Sequence, residues 1–164
     1  MKIGSLIASV AALLAAGCAL VANHGLEPGR STDADVRRAL GEPAHEFVAA
    51  NGSRQLVFPR GPHGMQTYMA FLSADGRLVR FEQSLKEENF RRISTGRTTS
   101  DEVLRLIGPP WRTIDFPNKG QVAWDYRFQD AWGYLAELSV MIDRQGRVAE
   151  TVTVRFDKEQ GDAK

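Results

Sequence analysis

The amino-acid sequence predicts an α+β fold built as a tandem repeat. Each copy is a short helix, or helix pair, followed by a three-stranded antiparallel β-meander. Three observations predict this. Residues 96–110, GRTTSDEVLRLIGPP, restate residues 29–43, GRSTDADVRRALGEP, at an offset of 67, with seven of fifteen positions identical. Both stretches carry a helix start, an apolar stripe at helical spacing and a stop. Both are followed by apolar residues that alternate at period two, the mark of half-buried strands. Self-similarity at a fixed spacing is the signature of a repeated supersecondary unit.

The chain opens MKIGSLIASVAALLAAGCAL, with one positive charge, Lys2, ahead of an apolar run. That run is shorter than the roughly 20 residues that span a bilayer. A charged start, a short apolar region and small residues after it describe an export signal over residues 1–17. Cys18, the one cysteine of the chain, follows LLAAG. This resembles the lipobox of bacterial lipoproteins, in which the signal is cut before a cysteine that then carries acyl chains such as palmitate. Residues 18–25 are then a lipidated N-terminus and linker. Ala19 in place of an aspartate implies, by the same resemblance, a lipid anchor in the outer membrane that faces the periplasm. A lone cysteine also excludes an intramolecular disulfide. Removal of Lys2 with the signal leaves twenty basic against twenty acidic side chains. Attraction to a membrane then comes from lipid rather than from net charge.

The first copy occupies residues 26–84. Thr32 is placed to cap a helix, with Asp35 three residues on reaching back in a capping box. Val36, Ala39 and Leu40 form the apolar stripe, Gly41 suits a left-handed C-cap, and Pro43 forbids continuation. RQLVF reads as a short strand, PRGPHG as a loop, MQTYMAFLS as a strand, ADG as a turn and RLVRFEQ as a strand.

The second copy occupies residues 85–157. SLKEENFRR reads as a short lead-in helix that offers Leu85 and Phe90. Thr99, Glu102, Val103, Leu106, Ile107, Gly108 and Pro110 repeat the capped and stopped helix. QVAWDYRF places Trp124, Tyr126 and Phe128 on one side. DAWG is a hairpin tip, and YLAELSVMID places Tyr134, Leu138, Val140 and Ile142 on one side. RVAETVTVRF does the same with Val148, Val152, Val154 and Phe156. Residues 158–164 are a polar tail.

The spacing of Gly29, Ser31, Val36, Gly41 and Pro43 is repeated in Gly96, Thr98, Val103, Gly108 and Pro110. With Trp124 and Tyr126 on a WxY strand, this pattern resembles the SmpA/OmlA domain of the BamE family. Members of that family are lipid-anchored subunits of the outer-membrane β-barrel assembly machinery. The doubling resembles the architecture of the β-lactamase inhibitor protein, which grips another protein with paired copies. The resemblance implies a non-catalytic envelope protein. Its partners would be the membrane, through its lipid, and an envelope protein such as the barrel assembly machinery. The alternative is an inhibitor-like or receptor-like module directed at a particular enzyme or ligand.

The remaining chemistry agrees with a binding role. His24, His45 and His63 share no metal-ligand spacing, and no carboxylate cluster accompanies them. No phosphate-binding glycine loop is present. Ser31, Ser100, Asp35 and Glu102 are explained by capping before catalysis. No cofactor and no enzymatic activity are therefore expected, and the absence of a basic run argues against nucleic acid.

Two groups of side chains are candidate partner contacts. Trp132 and Tyr134 stand at the DAWG tip, as interface anchors or as packing against the neighbouring copy. If the first copy keeps the facing of the second, Met69, Phe71, Val79 and Phe81 lie on the far side of the sheet from Tyr68, Ala70, Leu72 and Leu78. An apolar patch there must be covered or must bind something. The second copy, the Leu85–Phe90 helix and a partner protein are the alternatives.

Overall fold

The computed structural model describes residues 24–156. The expected export signal, Cys18 and the expected polar tail from residue 158 lie outside them.

The described residues are mostly β and fold into two four-stranded antiparallel sheets, which corrects the expected helix and three-stranded meander. In chain order the elements are α1 (Asp33–Leu40), β1 (His45–Val48), β2 (Arg54–Arg60), a 3-10 turn (Pro62–Gly64), β3 (Gln66–Leu72) and β4 (Leu78–Gln83), then α2 (Glu87–Phe90), α3 (Ser100–Ile107), β5 (Arg112–Phe116), β6 (Gln121–Gln129), β7 (Leu135–Asp143) and β8 (Val148–Arg155). Each sheet runs in chain order, β1-β2-β3-β4 and β5-β6-β7-β8. The strands that the sequence does not announce are β1 and β5. Each directly follows a Gly-x-Pro stop and lies at a sheet edge. β5 is exposed along its whole length, so it buries no stripe and shows no period-two pattern. It becomes a strand only because Arg112 through Phe116 pair with Asp125 through Gln121 of β6.

The chain divides into two compact units. One comprises the described parts of Met1–Leu56 and Ala70–Glu82, and the other Val57–Met69 with the described parts of Gln83–Lys164.

In the first unit α1 begins with a complete capping box. The Asp35 N–H donates to Thr32 Oγ1, and the Thr32 N–H donates to the Asp35 carboxylate at 2.9 Å. The α1 and β1 side chains are tied by ions. Arg37 reaches Asp33 at 3.0 Å, Glu42 at 2.6 Å and Glu46 at 2.9 Å, and Arg54 reaches Asp33 at 2.8 Å. Val36, Leu40, Leu56, Ala70, Leu72 and Leu78 are buried.

In the second unit α3 repeats the box with Thr99 and Glu102. The core gathers Val103 and Ile107 from α3, Tyr126 and Phe128 from β6, Ala136, Leu138, Val140 and Ile142 from β7, and Val148 from β8, with Leu85 and Ile93. Phe90 meets Phe128 edge to face at 4.7 Å. Gly108 lies so close to Thr67 and Val57 that a Cβ there would stand 2.7 Å from Thr67 Cγ2. The Ser84 hydroxyl, fully buried, donates to the Thr67 carbonyl at 3.0 Å. These contacts explain why the Val57–Met69 segment belongs to the second unit.

Two local expectations change. Gly41 and Gly108 have φ of 75° and 85° but ψ of −157° and −170°. The chain therefore leaves each helix extended rather than in a left-handed cap, in a region open essentially to glycine alone. The facing of β8 changes as well. Val148 pairs with Ile142 and Glu150 with Met141, so a bulge skips Ala149. A one-residue slip moves every later side chain to the other face. Val148 stays in the core, whereas Val152 and Val154 stand opposite Ser139 and Glu137 on the outer face.

Candidate functional site

The turn between β6 and β7, Asp130–Tyr134, is held by the side chain of its own first residue. Its carboxylate is buried, and the Asp130 side chain is only 4 % exposed. Asp130 Oδ1 accepts from the Trp132 and Tyr134 N–H groups, each at 2.9 Å. The Asp130 N–H donates to the Tyr134 carbonyl, and the Gly133 N–H to the Asp130 carbonyl, also at 2.9 Å each. Asp130 Oδ2 faces the Arg155 guanidinium, which stands 4.9 Å from the Tyr134 ring centre. Burial by itself would raise the pKa of Asp130. The N–H groups of Tyr134 and Trp132 and the Arg155 charge outweigh it and hold the carboxyl below its ordinary range. Gly133 takes φ of +79°, as a tight turn requires.

This clamp fixes a tip on which Trp132 is 80 % exposed and Tyr134 41 % exposed. Leu135 and Val154, beside it on the outer face, are 36 % and 53 % exposed. A hollow of about 320 Å³ adjoins the turn, lined by Lys86, Glu87, Glu88 and Arg91 on the α2 side and by Gln129, Asp130 and Ala131.

Further along the same outer face, polar groups are satisfied internally. Arg112 donates twice to the buried Asp125 Oδ2, at 2.9 and 2.6 Å, and the Ser139 hydroxyl donates to Oδ1 at 2.7 Å. Arg127 and the Trp111 indole N–H both donate to Glu137 at 3.3 Å. The two guanidiniums lie 4.6 and 4.3 Å from the Trp111 ring centre. Every charge here has a partner, so the cluster holds the sheet face rather than offering an empty site.

The residues expected from sequence on the first sheet are not equally available. Met69 is buried at 1 % exposure, which takes it out of any open patch. Phe71 is half-buried beneath the Arg80 guanidinium at 3.9 Å. Phe81 is half-buried, with His24 edge-on at 6.0 Å. Val79 is 60 % exposed. A shallow cavity of about 320 Å³ lies beside Phe71 and Val79, with Phe47 and Gln55 among its walls. Tyr126, expected as core, is buried at 1 % exposure, and its hydroxyl donates to the Gly108 carbonyl at 3.1 Å. Sequence reasoning missed Asp130, although an aspartate opening a D-x-W-G turn signals side-chain bonding to the backbone beyond it. Among the described residues, no grouping of three or more His, Cys, Asp or Glu side chains could hold a metal ion.

No protein-family model and no curated protein matches the chain. Among solved structures, a DUF4309 family protein (YjgB) from Bacillus subtilis is similar at 20 % identity and a TM-score of 0.30. The match covers 81 % of this chain and 83 % of that one.

Proposed function

We propose that this chain is a non-catalytic, lipid-anchored envelope protein that holds a partner protein through the aromatic tip between β6 and β7. The observation that carries the reading is Trp132, 80 % exposed on a turn locked by a buried carboxylate. Exposing a large aromatic is costly in water, and fixing it beforehand removes the ordering cost that binding would otherwise meet. Tryptophan and tyrosine are the side chains that most often carry binding energy at protein interfaces. The export signal and Cys18 of the sequence support an anchored location. The sequence resemblance supports the barrel assembly machinery as the partner class.

The test is affinity capture from envelope with the wild type and with Trp132→Ala. Barrel-assembly subunits are expected with the wild type. The variant is expected to lose about 2 kcal/mol of binding, roughly 30-fold in affinity. Its melting temperature should be unchanged, because the side chain packs on little. Capture of one soluble enzyme instead would favour the inhibitor-like alternative. Equal capture by both proteins would remove the tip from the interface.

A further inference from the structure

Among the described residues β8 is the outer strand of its sheet, with β7 as its one neighbour there. An outer strand turns a row of backbone groups away from the sheet, and proteins usually blunt such a row with charge, proline or a bulge. The Phe156 N–H donates to the Leu135 carbonyl at 2.8 Å. Arg155, Val154, Thr153 and Val152 continue in step opposite Ala136, Glu137, Leu138 and Ser139. The even-numbered residues therefore direct their backbone groups to β7. Strand alternation turns those of Thr151, Thr153 and Arg155 to the open edge.

This edge has its guards at its two ends, the bulge at Ala149 with Glu150 at one and Arg155 at the other, and none between. β5 has Asp115 within it and Pro117 directly after it. β1 carries Glu46, held by Arg37 and Arg54. β4 carries Arg80 and Glu82 as an ion pair. From Thr151 to Val154, β8 has neither charge nor proline. All of Thr151–Arg155 is exposed, with Val152 at 42 % and Val154 at 53 %.

We propose that β8 pairs antiparallel with the β8 of a second copy of this chain, around a two-fold axis at Thr153. The side chains suit a copy of the same strand. With Thr153 on the axis, Thr151 lies opposite the partner subunit's Arg155, so no guanidinium faces its twin. On the outer face Val152 lies opposite the partner subunit's Val154, and the same contact recurs across the axis. These are β-branched cross-strand pairs of the kind that stabilise sheets. An axis at Val152 would instead set the partner subunit's Arg155 against Ala149, which the bulge removes from the ladder. Pairing of identical edges is isologous and closes at two copies. The result is a continuous eight-stranded sheet on whose outer face the valines of the two copies pack side by side.

Sedimentation of the full chain in density-matched detergent, across a range of concentrations, tests this. The wild type is expected to dimerise. Val152→Lys puts an ammonium into the paired row. Thr153→Pro removes the donor at the axis while leaving the bonds to β7 in place. Each is expected to raise the dissociation constant about tenfold or more with far-ultraviolet circular dichroism unchanged. If Thr153→Pro loses its dichroism, Val152→Lys alone decides. A wild type that sediments as a monomer throughout would overturn the proposal, as would folded variants that dimerise as tightly as the wild type.

Discussion

Gly108 shows how much one missing Cβ decides. Its φ of +85° and ψ of −170° exclude ordinary side chains, and Thr67 and Val57 occupy the space a Cβ would need, at 2.7 and 3.1 Å. Its carbonyl also receives the buried Tyr126 hydroxyl. Gly96 has a similar φ of +74°, but a Cβ there would meet nothing within 4 Å. Gly108→Ala is therefore expected to cost about 2–4 kcal/mol, combining backbone strain with overpacking. Gly96→Ala should cost only the strain, about 1–2 kcal/mol. Denaturant titration of the two variants separates them, and equal losses would mean that the contact with Thr67 and Val57 contributes nothing. Glycine at 108 was legible in the sequence as a helix stop, though not the extended backbone it takes, and Gly96 was marked only by the repeat; the buried Tyr126 and Phe128 were legible as an alternating stripe. The bonds from Asp130 to the Trp132 and Tyr134 N–H groups were legible as well but missed, whereas its ion partner, Arg155, was hidden because it lies 25 residues further along the chain.

At the scale of elements, α1 and α3 are set by their own first turns. The backbone N–H of Thr32, then its hydroxyl and Arg38, hold the Asp35 carboxyl down from 3.8 to about 2. Glu102 is lowered in the same way by the Thr99 backbone and side chain. A carboxyl whose folded value lies below its unfolded one stabilises the fold above the unfolded value, and loses that contribution as the pH falls through the folded value. The melting temperature should therefore decline as the pH falls from about 4 to about 2. Asp35→Asn should flatten part of that decline, and scanning calorimetry at stepped pH measures both. The strands divide differently. β6 and β7 announced themselves by alternation over a packed face. β5 did not, because an edge strand exposed on both sides carries no burial pattern, and β1 did not, because four residues half-buried on one side are too short a run to show a period. The outward turn of Val152 and Val154 was likewise hidden, since the bulge at Ala149 is defined only against β7.

For the molecule as a whole, the proposed anchor and the proposed binding surface are separate properties. Under the proposed reading, attachment belongs to Cys18 and recognition to the second unit. At about 0.8 kcal/mol per buried methylene, two or more acyl chains make a stable anchor. Cys18→Ser is expected to move the chain from the membrane to the soluble fraction and to abolish incorporation of a labelled fatty acid. The tip between β6 and β7 should remain intact in that variant. Retention at the membrane after the substitution would remove the lipid anchor from the proposal. The sequence by itself determined the capped and stopped helices, the glycine positions, the hairpin tip and the apolar face of β6 and β7. Each of these is set by residues within a few positions of one another, or by a run long enough to show its period. Tertiary structure alone decided that each sheet has a fourth strand, that Met69 is buried, that β8 turns its valines outward, and that the Asp130 carboxylate meets Arg155. Those outcomes depend on which strand lies alongside and which distant charge meets a buried carboxylate, and no local spacing encodes either.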